Sequence, residues 1–144
     1  MNTPQQQQEN KNIVIFHHLG VYLQMLADGY NNNPYTDNSF SRPFVSTSKV
    51  KYFAKKGSKY TKIIQVEFDS KDIAFDDVKP SWARGSVHAF IDNATGDVLK
   101  ASSWSKPAKG VRFNLLDDDS RKLLLEKALM SNSYLGGYLY ANAK

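Results

Sequence analysis

Residues 86–101 read SVHAFIDNATGDVLKA, two short runs rich in apolar residues on either side of Asp92-Asn93-Ala94-Thr95-Gly96-Asp97. Asp and Asn side chains bond back to turn backbone, and Gly96 can take the left-handed conformation that closes such a loop. The stretch predicts a β-hairpin. The Asn93-Ala94-Thr95 acceptor pattern inside it therefore reads as turn chemistry rather than as a glycosylation site. Upstream, Phe44 to Phe53 and Tyr60 to Phe68 are rich in β-branched and aromatic residues and flank Lys55-Lys56-Gly57-Ser58, which predicts a second hairpin. In its second arm Tyr60, Lys62, Ile64, Val66 and Phe68 share one face, and Thr61, Ile63, Gln65 and Glu67 the other. The first of these faces is mostly apolar and is expected to meet a helix. Ser70 to Ser81, acidic and holding Pro80, connects the hairpins with room for one short helical turn.

Working outward, Ile13, Phe16, Leu19, Leu23 and Leu26 recur at three- and four-residue intervals, with Ile15, Tyr22 and Met25 beside them. The spacing predicts a helix ending near Ala27-Asp28, stopped by Gly29, with Gly20 as a place to bend. Residues 1–11, with the Gln5–Gln8 run, read as a flexible polar tail before a single domain over 12–144. Asn31-Asn32-Asn33-Pro34 starts a loop that runs to Arg42. Ser105 to Arg112 contains Pro107 and Gly110 and is expected as an ordered loop or a short bridging strand. Asp117 to Ser120 offers caps for a last helix carrying Leu123, Leu124, Ala128 and Leu129, and after Gly136-Gly137 a short terminal strand is expected at Tyr138-Leu139-Tyr140. Helix, hairpin, hairpin, helix predicts an α+β fold: two layers, with an antiparallel sheet of about four strands packed against an N-terminal and a C-terminal helix.

Composition limits the chemistry. The chain has 144 residues, a single-domain length, with 41% hydrophobic and 23% charged residues, which excludes wholesale disorder. The absence of cysteine excludes disulfides, thiolate catalysis and Cys-ligated metals. The N-terminus lacks the order of a signal peptide and no apolar run approaches the ~20 residues of a membrane span, so an interior, cytoplasmic location without membrane contact is expected. His17 and His18 are adjacent, and on a helix their side chains diverge by about 100°, which does not suit one metal ion. Asp117, Asp118 and Asp119 lack the spacing of a calcium loop and read as helix caps. No phosphate-binding loop, dinucleotide fingerprint or nucleophile elbow occurs, so neither a catalytic group nor a cofactor or metal is expected. A small hydrolase or metalloenzyme would have to use His88, in a concave pocket beside Asp or Glu.

Charge placement says more than the net +5. Residues 42–66 hold Arg42, Lys49, Lys51, Lys55, Lys56, Lys59 and Lys62 and no acid, whereas 67–77 hold five acids and one lysine. Lysine interleaved with aromatic residues on an exposed strand can track phosphates and stack on bases. The same lysines also serve to protect a sheet edge from aggregation. A second basic group, Arg84, Lys100, Lys106, Lys109 and Arg112, is interleaved with Trp82, Trp104 and Phe113. If both hairpins share one sheet, the two groups can join in a groove of the size used for single-stranded nucleic acid. Burial of the tryptophans as core anchors would remove its stacking platform.

Gly85 to Asp92, Thr95 to Lys100, Ser103-Trp104, Lys106 to Arg112 and Asn114, together with Lys59-Tyr60-Thr61-Lys62 and Gly136 to Tyr140, resemble a group of small tailed-bacteriophage proteins to which no activity is assigned. The resemblance covers about residues 59–140. It implies a viral source, with action in the host cytoplasm or in association with the virion, and carries over no catalytic residue. The expected function is non-enzymatic binding of DNA, RNA or a nucleoprotein through Lys49, Lys51, Lys55, Lys56, Lys59, Lys62, Lys106, Lys109, Arg112 and Trp104. The alternative is a module that docks on a virion or host protein through an exposed apolar patch.

Overall fold

The computed structural model describes residues 3–32, 47–83, 86–130 and 137–139. Arg42, Phe44, Arg84, Gly136 and Tyr140 lie outside them. The fold is α+β, with two helices on one antiparallel sheet. The strands are β1 (Ser48–Lys56), β2 (Tyr60–Asp69), β3 (Val87–Asp92), β4 (Asp97–Ala101) and β5 (Pro107–Asn114), each hydrogen-bonded to the next along the chain. The sheet thus has five strands where about four were expected. The fifth is the segment whose Pro107 and Gly110 obscured it. Pro107 is the strand's first residue, where no ladder N–H is demanded, and Gly110, at φ 96°, lies in a stretch where the register against β4 shifts.

Alternation along the strands divides the sheet. Val50, Tyr52, Ile63, Ala89, Ile91, Val98 and Phe113 form one core with Ile15, Leu19, Tyr22 and Leu26 of helix α1 (Pro4–Asn31) and Leu124 and Ala128 of helix α2 (Asp118–Met130). The face of β2 expected to meet a helix, Tyr60 to Phe68 in steps of two, is therefore the opposite one. Ile64 and Val66 are buried there with Phe90 and Leu99, outside the helix-side core. Two short 3₁₀ turns, Phe75–Asp77 and Pro80–Trp82, interrupt the connection between β2 and β3. That connection packs on the edge of the sheet through Phe68 and Phe75, with ring centroids 6.0 Å apart. Both faces of β2 are apolar enough to bury, which is why alternation alone could not choose between them.

Helix α1 begins earlier than expected. Thr3 Oγ1 accepts from the Gln6 N–H at 3.1 Å, Gln6 Oε1 accepts from the Thr3 N–H at 3.1 Å, and Pro4 stands at the first helical position. Residues 4–11, expected as a tail, are thus the helix's first two turns. The buried line is Ile15, Leu19, Tyr22, Leu26 and Gly29, while Ile13 and Phe16 are exposed. Gly29 does not stop the helix. It lies against the last turn of α2, where a Cβ would stand 2.5 Å from the carbonyl oxygens of Ala128 and Leu129. In α2, Asp117 Oδ2 accepts from the Ser120 N–H at 2.8 Å, the capping role expected of this acidic run. Only Leu124 and Ala128 of the expected α2 stripe are buried; Leu123 and Leu129 are exposed. Gly137–Leu139 is a 3₁₀ turn rather than a strand, and Leu139 is buried in the core.

Candidate nucleic-acid interface

The two hairpins share the sheet, and their turns lie together at one end of it. Asn93, in the β3–β4 turn, donates through Nδ2 to the Gly57 carbonyl at 2.9 Å and through its N–H to the Lys59 carbonyl at 3.0 Å. Thr61 Oγ1 donates to Asn93 Oδ1 at 2.6 Å. The β3–β4 turn is itself held by Asp92 Oδ1, which accepts from the Ala94 and Thr95 N–H groups, and by Gly96 at φ 77°. One turn is thereby clamped against the other, and the lysine-bearing tip of β1–β2 is held by a built contact.

Four lysines gather at that tip. Lys55, Lys56, Lys59 and Lys62, with Tyr60, Phe90 and Ser105, line a hollow of about 280 Å³. Lys55 and Lys62 are cross-strand partners, which brings like charges side by side. Aromatic faces offset part of that cost: Lys62 Nζ lies 4.3 Å from the Trp104 ring centroid, Lys59 Nζ 5.3 Å from Tyr60 and Lys56 Nζ 4.9 Å from Phe16. Trp104 stands on the β4–β5 loop and is 41% exposed. The second basic segment therefore meets the first through the Lys62–Trp104 contact.

The other expected site residues divide. Lys49 Nζ donates to the Asn31 carbonyl at 2.8 Å, and Lys51 Nζ to the Phe75 carbonyl at 2.9 Å, also lying 4.6 Å from the Phe75 ring centroid. Arg112 donates to the carbonyls of Lys109, Gly110 and Leu139. These three side chains tie segments of the fold together. Lys106 is exposed in the Trp104 loop, whereas Lys109 is exposed on β5, three strands and roughly 14 Å across the sheet from β2. Trp82 is as exposed as Trp104 but lines a different hollow, of about 240 Å³, with Gln65, Glu67 and Ser86. Asn93 and Phe90 were not singled out by charge reading. The turn signal around Asn93 was visible, but not that its amide would reach another turn.

His88 is in the core. A β-bulge between Ile63 and Ile64 shifts the register against β3 at this point, and the His88 ring lies 5.2 Å, centroid to centroid, from that of Tyr52 on the helix-side face. Its Nε2 is 2.7 Å from Tyr138 Oη, which also bonds Tyr22 Oη. Tyr52 Oη accepts from Gln65 Nε2 at 2.8 Å. Burial pushes the His88 pKa down to about 4 and holds the Tyr22, Tyr52 and Tyr138 hydroxyls well above the usual phenol range. His88 Nδ1 has no hydrogen-bond partner among the described residues. Among the described residues, the groups His88 meets are Tyr52 and Tyr138, not the carboxylate that a His88-based enzyme would need beside it. His17 and His18 stack edge to face 5.3 Å apart, and the described residues contain no group of three or more His, Asp or Glu able to hold a metal. Among them, no helix is long and apolar enough to cross a membrane.

Comparison with curated proteins and with solved structures returns no match. A family model matches residues 1–141, including α1 and the Gln5–Gln8 run. The chain therefore belongs to this family of unknown function, DUF7717.

Proposed function

We propose that this protein binds nucleic acid, free or within a nucleoprotein, through the tip of the β1–β2 hairpin, without catalysis. The observation that carries the reading is the meeting of Lys55, Lys56, Lys59 and Lys62 around one hollow, with no carboxylate among the described residues of its lining, beside the exposed indole of Trp104. Clustered cations focus potential and attract a polyanion, and an exposed aromatic face adds contact that charge alone does not supply. The viral source expected from the sequence would place that role in the cytoplasm of an infected cell or in association with the virion. The test is fluorescence anisotropy with short labelled single- and double-stranded DNA and RNA at low ionic strength. Wild type binds and is released by salt, Lys55→Ala/Lys56→Ala/Lys59→Ala loses most of the affinity, and Lys109→Ala, remote on β5, retains it. No binding by wild type, or equal losses from the tip variant and Lys109→Ala, overturns the assignment.

A second reading, docking on a host or virion protein, is favoured by Ile13, Val14 and Val21 on α1 and Leu123, Leu129 and Met130 on α2, all exposed apolar side chains. Association with one protein that persists after nuclease treatment, and is lost on Ile13→Ser and Met130→Ser, is its expected signature.

A further inference from the structure

We infer that the surface is built for single strands, with the cleft beside Trp104 as the seat of an unstacked base. The inference rests on the nucleic-acid reading above and adds strand selectivity to it.

The cleft has a volume of about 440 Å³. Ala54, Lys55 and Ile64 of the first hairpin form its floor, Pro80, Ser81 and Ala83 of the β2–β3 connection one wall, and Trp104 another. That volume lies within the roughly 300–1,000 Å³ of small-molecule sites. Its described lining is mainly apolar, and among the described residues the charged side chain in it is Lys55. The lysine hollow at the tip also contains Lys55, and Lys62, which lines that hollow, sits over the indole that lines the cleft. The two depressions are therefore neighbours with a shared cation between them. One presents an indole and a proline, which suit the flat face of a base. The other presents four ammonium groups and Tyr60, which suit the phosphates and the next base of the same strand.

Duplex geometry cannot use both. In a duplex the base faces are stacked on each other, so a duplex meets the lysines but cannot lay a base face against the indole and proline of the cleft. A single strand can unstack one base at little cost. Charge contacts are common to both forms, and the difference between them falls on Trp104. Because π-faces are common to all bases, little sequence preference is expected.

The experiment compares labelled oligothymidylate, oligouridylate and a duplex of equal length on the full chain, with Trp104→Ala, Trp104→Phe and Trp82→Phe as variants and circular dichroism to verify folding. Wild type binds a single strand about tenfold more tightly than the duplex. Trp104→Ala costs single-strand affinity more than duplex affinity and so removes most of that preference, and Trp104→Phe keeps most of it. In Trp82→Phe, where Trp104 is the one remaining indole, fluorescence is quenched by single strands and not by duplex. The two single-stranded probes separate DNA from RNA, and either suffices. Equal binding of single strand and duplex, or equal losses for both in Trp104→Ala, overturns the base cleft and leaves the electrostatic reading intact. No salt-sensitive binding of any probe overturns both.

Discussion

Two glycines of α1 show how one residue type serves opposite ends. A Cβ at Gly29 would stand 2.5 Å from two backbone oxygens of α2, whereas nothing lies within 4 Å of one at Gly20. Backbone cannot move aside as a flexible side chain can. Gly29→Ala is expected to destabilise the protein by about 1–3 kcal/mol, and Gly20→Ala to stabilise it by up to about 1 kcal/mol, both read from urea unfolding. The pair separates close packing from helix propensity, which alone would make Gly29→Ala as stabilising as Gly20→Ala. His88 sets a second prediction. It is held neutral down to about pH 4, while in the unfolded chain it takes up a proton near pH 6.5. Between those values the unfolded state binds more protons, so this group's contribution makes stability fall as pH falls through that window, by about 3 kcal/mol in all. Among the described residues, the groups facing it are the Tyr52 and Tyr138 rings, whose hydroxyls stay protonated there. His88→Gln should flatten the pH dependence of the unfolding free energy between pH 6.5 and 4; an unchanged slope contradicts a buried neutral imidazole.

At the scale of the elements, the hairpin tip depends on a contact from its neighbour. Asn93→Ala removes the amide bond to the Gly57 carbonyl and the acceptor of the Thr61 hydroxyl. A cost of about 1–3 kcal/mol in unfolding free energy is expected, with faster amide exchange confined mainly to residues 55–61. Uniform loosening of the whole sheet would contradict the clamp. Element type was largely legible in the sequence. Alternation and turn residues identified both hairpins, and the cap at Asp117 located α2. What failed was orientation and extent. The apolar arc of α1 is wide enough to admit several buried lines, and the choice is made by α2 lying against Gly29, a contact between residues a hundred positions apart in the chain. β5 was legible only as an ordered loop or a short bridging strand, because Pro107 and Gly110 are poor strand residues whose cost is absorbed at a strand start and at a bulge.

For the whole molecule, the charge pattern proved more selective than its sum. The acid-free stretch 42–66 contains lysines of two kinds, which local sequence does not distinguish. Lys49 and Lys51 reach backward onto Asn31 and forward onto Phe75, carbonyls that only the folded chain brings near. Lys55, Lys56, Lys59 and Lys62 converge because a two-stranded tip places residues before and after the turn together. Trp104 joins them from forty residues away, from the loop between β4 and β5. The candidate site was thus legible in its residue types and in part of its membership, while its boundary was written in long-range contacts. The central claim is that this cluster contacts phosphates. It is tested most directly by the salt dependence of oligothymidylate binding, plotted as log K against log salt. Four lysine–phosphate contacts predict a slope of about −3, reduced by about 1.4 in Lys55→Ala/Lys59→Ala. A slope near zero, or one unaltered by that double substitution, would contradict the account.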